Sequence, residues 1–470
     1  MKKKLLLFVC ILLVSKLLSA QQYAQFGTRS LFDSFENPAI KAFTLDSSGK
    51  YASNFLLPNF GINAANRGGA TDVIRRLATD GKLNTTDLPI GNGAMNTLYQ
   101  NTNVYLATFR IFSSHKYNQE IGFAWQVRSD ANIDYTNETL AILDSYKRFA
   151  QVPYSDVFNN DGYQQSYHQF SVSLRENWDK RLAFGVKLSL LSGIAYNSLK
   201  IDDSYIYADP FNDRLDIGLN GRYEASFIRK DEVDRNTFIP NFRNPGAAIS
   251  LGTTYQSRSG FFLMANVKDL GFIRWSKRSH IAQFNTLKSI YDVSTKPNSE
   301  IKEEITDIAN EIDVESRFHT FTNAKADFMV SKTFSFYKPA LIISKNLFYP
   351  GGDVAFVNTF SHNSFSASIT PAYNLNQIFM VGVQAMYKTP NFEFFLGSDN
   401  INKSIDLSKT INNTDGAVGT GYNGGSFYMG LGIKFGKTVN HPMNLSTMPG
   451  VNGEKTHKGF FRSIYQFFKK

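Results

Sequence analysis

The sequence predicts an all-β fold, a single antiparallel transmembrane β-barrel of about 14–16 strands with a short N-terminal plug or lead-in segment. Three observations point there. First, the stretch Gly425–Gly436 alternates apolar Phe427, Met429, Leu431, Ile433 and Phe435 with Ser426, Tyr428, Gly430, Gly432 and Lys434. A strand sends successive side chains to opposite faces, so this is one apolar and one mostly polar face, at the length a tilted strand needs to cross a bilayer. Second, aromatic residues make up 14% of the chain and charged residues only 19%, against roughly 25% charged in soluble domains. Third, the chain opens like an exported protein, and no later stretch approaches eighteen apolar residues, so any membrane crossing is made by strands. A soluble, aromatic-rich all-β protein is the alternative reading of the same alternation.

Residues 1–20 read as a signal peptide. Lys2, Lys3 and Lys4 precede the apolar run Leu5–Val14, and Ser19-Ala20 precede Gln21. Cleavage after Ala20 removes the only cysteine, Cys10, so disulfides, thiolate metal sites and cysteine catalysis are excluded from the mature chain. It also removes Lys2, Lys3, Lys4 and Lys16, lowering the formal charge from +10 to +6. The remaining basic residues are scattered, and export argues against a nucleic-acid partner.

Residues 21–49 form the lead-in or plug, with a turn at Asn37, Pro38 and Ala39 that is the candidate plug motif. Residues 50–436 form the barrel. Tyr51–Phe60 is a first strand candidate, and Asp72–Ala78 a short helix. Alternating runs follow at Tyr105–Ile111, Ile121–Val127, Phe170–Leu174, Leu182–Leu190, Leu215–Arg222 and Ile249–Tyr255. Further runs start near Gly260, Asn323, Pro339, Asp353, Ser364, Gln377 and Asn391, and with the closing strand these make fourteen. Short links at Ser257–Gly260, Ser335–Lys338, Ser361–Ser364 and Lys388–Asn391 fall on the periplasmic side if the last strand ends there. The long segments 225–245, 271–321 and 400–424 then fall outside. The short link Asn177–Lys180 breaks this parity unless another strand lies near Ile194, between Leu191 and Asn212. Counting that strand and Tyr51–Phe60 gives sixteen.

Within the loop 271–321, Glu300–Ile312 has a helical stripe of Ile301, Ile305, Ile308 and Ile312, which suits a cap on the barrel mouth or a docking helix. Residues 437–470 form a periplasmic basic-aromatic tail. It fits either a helix on a membrane surface or partner, or a disordered end.

No chemistry-bearing motif stands out. Gly419–Gly424 matches G-x-G-x-x-G but leads into a strand, not a helix, so no cofactor is expected. The seven histidines have no metal-ligand spacing, and His168 reads as an interfacial or packing residue. A barrel hydrolase has no supporting motif, and no enzyme activity is expected. The candidate lumen-facing residues are Arg110, Arg128, Arg175, Lys187, Arg222, Lys268 and Lys434, accompanied by Lys325, Asp216 and Asp327.

Several stretches are similar to an uncharacterised-domain family of Bacteroidota outer-membrane barrels. They are Asn37-Pro38-Ala39, Leu188–Ala195, Val267–Trp275 (VKDLGFIRW), Leu396–Ile401 and the closing strand. That family resembles, more distantly, the long-chain fatty-acid transporter barrels and barrel components linked to secretion and gliding. The resemblance implies an outer-membrane location, an N-terminal plug and passage of hydrophobic small molecules, and it brings no active-site residues. The alternative is a non-conducting scaffold for surface-assembly, secretion or gliding machinery, with outer-membrane lipid around it. A periplasmic or surface protein partner would bind through 437–470 or the outer loops. The tail departs from a barrel that ends at its terminal aromatic, here Phe435.

Overall fold

The computed structural model describes residues 23–43, 49–114, 119–150, 152–228, 232–310, 313–411, 422–436 and 461. The leader and nearly all of the tail, with Ile312 of the expected helical stripe, lie outside these. The described strands join in one sheet. In chain order they are β1 (Tyr51–Ser53), β2 (Asn59–Arg67), β3 (Met95–Ser114), β4 (Gln119–Thr136), β5 (Tyr154–Ser155), β6 (Asp161–Asn177), β7 (Leu182–Asp209), β8 (Arg214–Ala225), β9 (Pro245–Gln256) and β10 (Phe261–Arg274). There follow β11 (His280–Tyr291), β12 (Val314–Glu315), β13 (His319–Phe321), β14 (Lys325–Lys332), β15 (Tyr337–Asn346), β16 (Gly352–His362), β17 (Phe365–Asn374), β18 (Ile378–Lys388), β19 (Phe392–Ser398) and β20 (Asn423–Phe435).

Antiparallel neighbours run β3–β4–β6–β7–β9–β10–β14–β15 and on in order to β20. β1 and β2 act as one stave between β20 and β3 and close the ring. β13 extends the β14 stave along β10. The wall is therefore a closed antiparallel barrel of fourteen staves, each standing between two neighbours.

The remaining strands build a second feature above the wall. β7 is 28 residues long. Its first part, from Leu182 to Ser192, pairs with β9 in the wall, and its last part, from Asn197, rises out of it and pairs with β8. β8 pairs in turn with β11. This outer module has its own apolar cluster, which includes Ile206, Leu215, Ile217, Phe284, Ile290 and Ile301. Ile301 belongs to the helix Asn298–Asn310, and Ile305 packs on the same cluster.

The module corrects the path to the strand count. Leu215–Arg222 alternates because β8 covers this cluster on one face only, not because it crosses the wall. The stave it was counted as is supplied by β1–β2. No extra strand lies near Ile194. That residue is the bulge of β7, skipped where Ser166 and Tyr167 pair with Ala195 and Gly193. With β8 outside the wall, the link after Asn177 falls at the same end as the link Ser257–Gly260, and the parity closes.

Alternation divides the wall residues. On β20, Ser426, Tyr428 and Lys434 are buried, while Phe427 and its alternates lie on the more exposed face. On β15, Leu341 and Ile343 are 44% and 46% exposed, and the intervening Ile342 is buried. Phe328, Val354, Phe356, Ile369 and Leu396 continue this belt on neighbouring strands. Full burial of such a side chain is worth about 1.5–3 kcal/mol, so one left half-exposed in water forgoes roughly half of that. A continuous belt of them suits hydrocarbon rather than solvent.

Candidate lumen site and the break in the wall

Residues 23–43 lie inside the barrel. Tyr23 Oη donates to Asp353 Oδ2 on β16 (2.5 Å), Gln25 Nε2 to Gln384 Oε1 on β18 (2.5 Å), and the Leu31 amide to Glu393 Oε1 on β19 (2.5 Å). The Ala42 amide donates to Glu120 Oε2 on β4 (3.1 Å). A single segment reaches strands on all sides only from within the ring.

Barrel cations cap the carbonyls of this irregular segment, which has no ladder partner of its own. Arg110 Nη1 donates to the Ser34 carbonyl (2.9 Å), Arg175 Nε to that of Ala39 (2.9 Å) and Lys187 Nζ to that of Phe35 (3.3 Å). Lys338 Nζ donates to the Gly27 carbonyl (2.8 Å), and Lys388 Nζ to those of Thr28 (2.8 Å) and Arg29 (2.6 Å).

The Asn37-Pro38-Ala39 turn sits in a notch. Gly185 on β7 and Gly252 on β9 are cross-strand partners. A Cβ on Gly185 would overlap the Pro38 carbonyl, and one on Gly252 the Asn37 side-chain oxygen. Asn37 Oδ1 accepts from the Ala39 amide (2.9 Å), which fixes the turn.

Above the notch is a buried ionic cluster. Arg128 bridges Glu36 Oε1 (2.7 Å) and Asp269 Oδ2 (3.1 Å). Lys268 bridges Glu36 Oε2 (3.0 Å) and Asp327 Oδ2 (3.5 Å), and Lys187 reaches Asp269 Oδ1 (3.1 Å). Tyr105 Oη and Asn103 Nδ2 also donate to Glu36, at 2.8 and 2.7 Å. Lys268 and Asp269 are neighbours in sequence yet both point inward. The register slips between Val267 and Leu270, and Asp269 adopts a left-handed φ of 56°. Burial alone would raise the Glu36 pKa, but Arg128, Lys268 and Lys187 hold the carboxyl well below its ordinary value. Asp33 has only more distant cations, and burial pushes it up to about 7.

The predicted lumen residues are placed as follows. Arg110 pairs with Glu120 (2.7 Å) under the segment, and Arg128, Arg175, Lys187 and Lys268 are those just described. Lys434 is buried with Nζ 5.0 Å from the Phe112 ring centre. Lys325 and Asp327 are buried on β14. Arg222 is not in the lumen: it stands exposed on β8 beside Glu224 (3.6 Å), because β8 belongs to the outer module. Asp216 shares that strand and pairs with Arg214 (3.0 Å). Sequence reasoning missed Glu36, Asp269, Glu120 and Glu393. The adjacent Lys-Asp pair in VKDLGFIRW was the available signal of a bulge.

The first stave is broken. Between β1 and β2, Phe55 and Leu56 take left-handed φ values of 50° and 61°, and Phe55, Leu56 and Leu57 are exposed on the wall. Asn54 patches the gap toward β3: its Nδ2 donates to the Leu57 carbonyl (2.9 Å) and the Tyr105 carbonyl (3.3 Å), and its Oδ1 accepts from the Thr108 amide (2.8 Å). Asn59 Oδ1 accepts from the Leu431 amide of β20 (2.9 Å). β2 pairs continuously with β20, yet with β3 only at Asn59–Tyr105 and Arg67–Thr97. The intervening residues leave a seam in the ladder.

Comparison with solved structures finds outer barrels of low similarity. One is a Pseudomonas aeruginosa FadL homologue, with a TM-score of 0.44 and 8% identity over 88% of this chain and 97% of that one. A TodX deltaS2S3 mutant monoaromatic hydrocarbon channel gives 0.42 and 8% over 85% and 92%. The Pseudomonas putida toluene transporter TodX gives 0.37 and 6% over 86% and 93%. No curated protein sequence matches the chain. A family profile matches residues 42–399, a span that includes VKDLGFIRW and leaves out the Asn37-Pro38-Ala39 turn and β20. The chain belongs to this family, described as a family of unknown function (DUF5723).

Proposed function

We propose that the protein passes small hydrophobic molecules across the outer membrane, with residues 23–43 acting as the plug of its lumen. The observation that carries this reading is the seam between β2 and β3 above the break in the first stave. A straight path down the barrel meets the seated segment and its ionic cluster, which an apolar solute would have to desolvate. The seam offers a sideways route between lumen and lipid, and Phe55, Leu56 and Leu57 give its lower edge an apolar lining. At the outer end, Val73, Leu88, Tyr135 and Leu140 make an apolar cluster near the upper part of β3. The test is uptake into proteoliposomes of an apolar aromatic solute and of a polar solute of equal size. Selective uptake of the apolar one is expected. Equal rates for both, or no uptake beyond protein-free vesicles, overturn the reading.

The second reading, a non-conducting scaffold, is favoured by the outer module, which has its own apolar core. Sealed proteoliposomes together with a co-purifying partner lost on deletion of the module or of 437–470 would select it.

A further inference from the structure

His168 interrupts the outward row of β6. Phe170 and Val172 on the same face are partly or well exposed, as lipid-facing residues should be, but His168 is only 4% exposed. What covers it is the loop between β8 and β9, which folds down along the outside of the wall. His168 Nε2 lies 3.0 Å from the Phe238 carbonyl, and its Nδ1 lies 3.3 Å from Trp125 Nε1. The indole can only donate, so Nδ1 accepts and Nε2 carries the proton to the carbonyl. The Phe242 amide donates to Ser192 Oγ (3.0 Å), and the Phe242 ring packs on Phe170 at 5.7 Å. Phe170 in turn stacks on Trp125. The loop is tied again at its end, since the Gly193 amide donates to the Asn244 carbonyl (2.8 Å) and the Ser276 amide to Asn244 Oδ1 (2.9 Å). A reciprocal cap between Asp234 and Thr237 orders its first turn.

A loop pinned this firmly still exposes Phe238 (62%), Ile239 (57%) and the side of Phe242 (46%) not covered by Phe170. Arg235 and Arg243 flank them and are also exposed. The apolar set is continuous with the belt through Phe170 and Trp125. Apolar side chains bracketed by arginines are the composition of a segment at a lipid–water boundary, and guanidinium matches phosphate oxygens bidentately.

We propose that the loop from Asp234 to Asn244 is a lipid-binding wedge. Phe238, Ile239 and Phe242 enter the acyl region of the outer leaflet beside β6 and β7, and Arg235 and Arg243 hold the phosphate groups of anionic lipids above them. The loop thereby also satisfies the one imidazole on this part of the lipid face. The proposal rests on the membrane-barrel reading, and its test separates the two.

The mature chain has no cysteine, so single nitroxide labels are unambiguous. Labels are placed through Phe238→Cys and Phe242→Cys, with Phe356→Cys on the belt and Phe211→Cys, 94% exposed on the outer module, as references. The full mature protein is folded into vesicles of phosphatidylethanolamine and phosphatidylglycerol, and the accessibility of each label to oxygen and to a nickel chelate is measured. Positions 238 and 242 are expected to match 356, oxygen-rich and shielded from nickel, with 211 aqueous. If 356 is lipid-exposed but 238 and 242 behave like 211, the wedge is overturned and the loop is free for a protein partner. If 356 is itself aqueous, the membrane barrel fails and the wedge with it. For the headgroup half, spin-labelled phosphatidylglycerol is expected to be enriched over phosphatidylcholine around the protein, and Arg235→Gln with Arg243→Gln to lower that enrichment at least twofold. An unchanged enrichment overturns the arginine role.

Discussion

At the scale of single residues, the lumen is held by two kinds of fit, charge and absence. Charge is the Glu36 cluster, where loss of one partner leaves buried ions uncompensated at about 3–5 kcal/mol. Absence is the pair Gly185–Gly252, whose missing side chains make room for Asn37 and Pro38. Gly185→Val fills the notch with atoms that meet backbone rather than a movable side chain. The expected outcome is an unseated segment on an intact wall. The variant keeps its heat-modifiable gel mobility and β-type circular dichroism in detergent, while a protease added from the periplasmic face cuts within 23–43 at least tenfold faster than in the parent. Unchanged protection would show that the notch does not position the turn.

At the scale of elements, the decisive one is the first stave. Asn59–Tyr105 and Arg67–Thr97 share one register, which places Asn63 opposite Asn101 in the unpaired stretch. Asn63→Cys with Asn101→Cys therefore staples the seam in a chain whose only other cysteine is Cys10. If apolar solutes leave through the seam, the oxidised double variant loses uptake, each single variant keeps it, and reduction restores it. Full-rate uptake by the cross-linked protein would exclude this route. The elements also show how much was legible in the sequence. Period-two alternation reports that a strand has two unlike faces, which identified nearly every stave. It does not report what the faces meet, so β8, covering the outer cluster, was read as wall and Arg222 as lumen. The break at Phe55–Leu56 was illegible for another reason: its backbone is satisfied by Asn54 and Asn59 across strands distant in sequence. Likewise Glu36 gains its meaning only from Arg128 and Lys268, brought together by closure of the ring.

At the scale of the whole molecule, the barrel and its inner segment form a two-part body whose joint titrates. Glu36 is held well below the ordinary carboxylate range, so its stabilisation is full above pH of about 4 and is lost only in stronger acid. Asp33 runs the other way. Burial raises it to about 7, with the charges of Lys338 and Lys388 only partly offsetting this. The seated segment thus binds the Asp33 proton more tightly than a released segment does. Its seating is favoured at low pH and weakens as pH rises from about 4 to about 7, after which the loss is constant. The two groups together place the firmest seating in acid solution near pH 4, still firm at pH 5, with a looser but still anchored segment at pH 8. Protease cleavage within 23–43, normalised to a free peptide of the same sequence to remove the enzyme's own pH dependence, should accordingly be faster at pH 8 than at pH 5. Asp33→Asn should abolish this preference for acid, because the amide is neutral throughout, leaving only Lys41, which burial lowers to about 7 and which favours seating at the higher pH. A preference for acid that survives in Asp33→Asn, or a pH effect of opposite sign in the parent, would assign the joint to other groups.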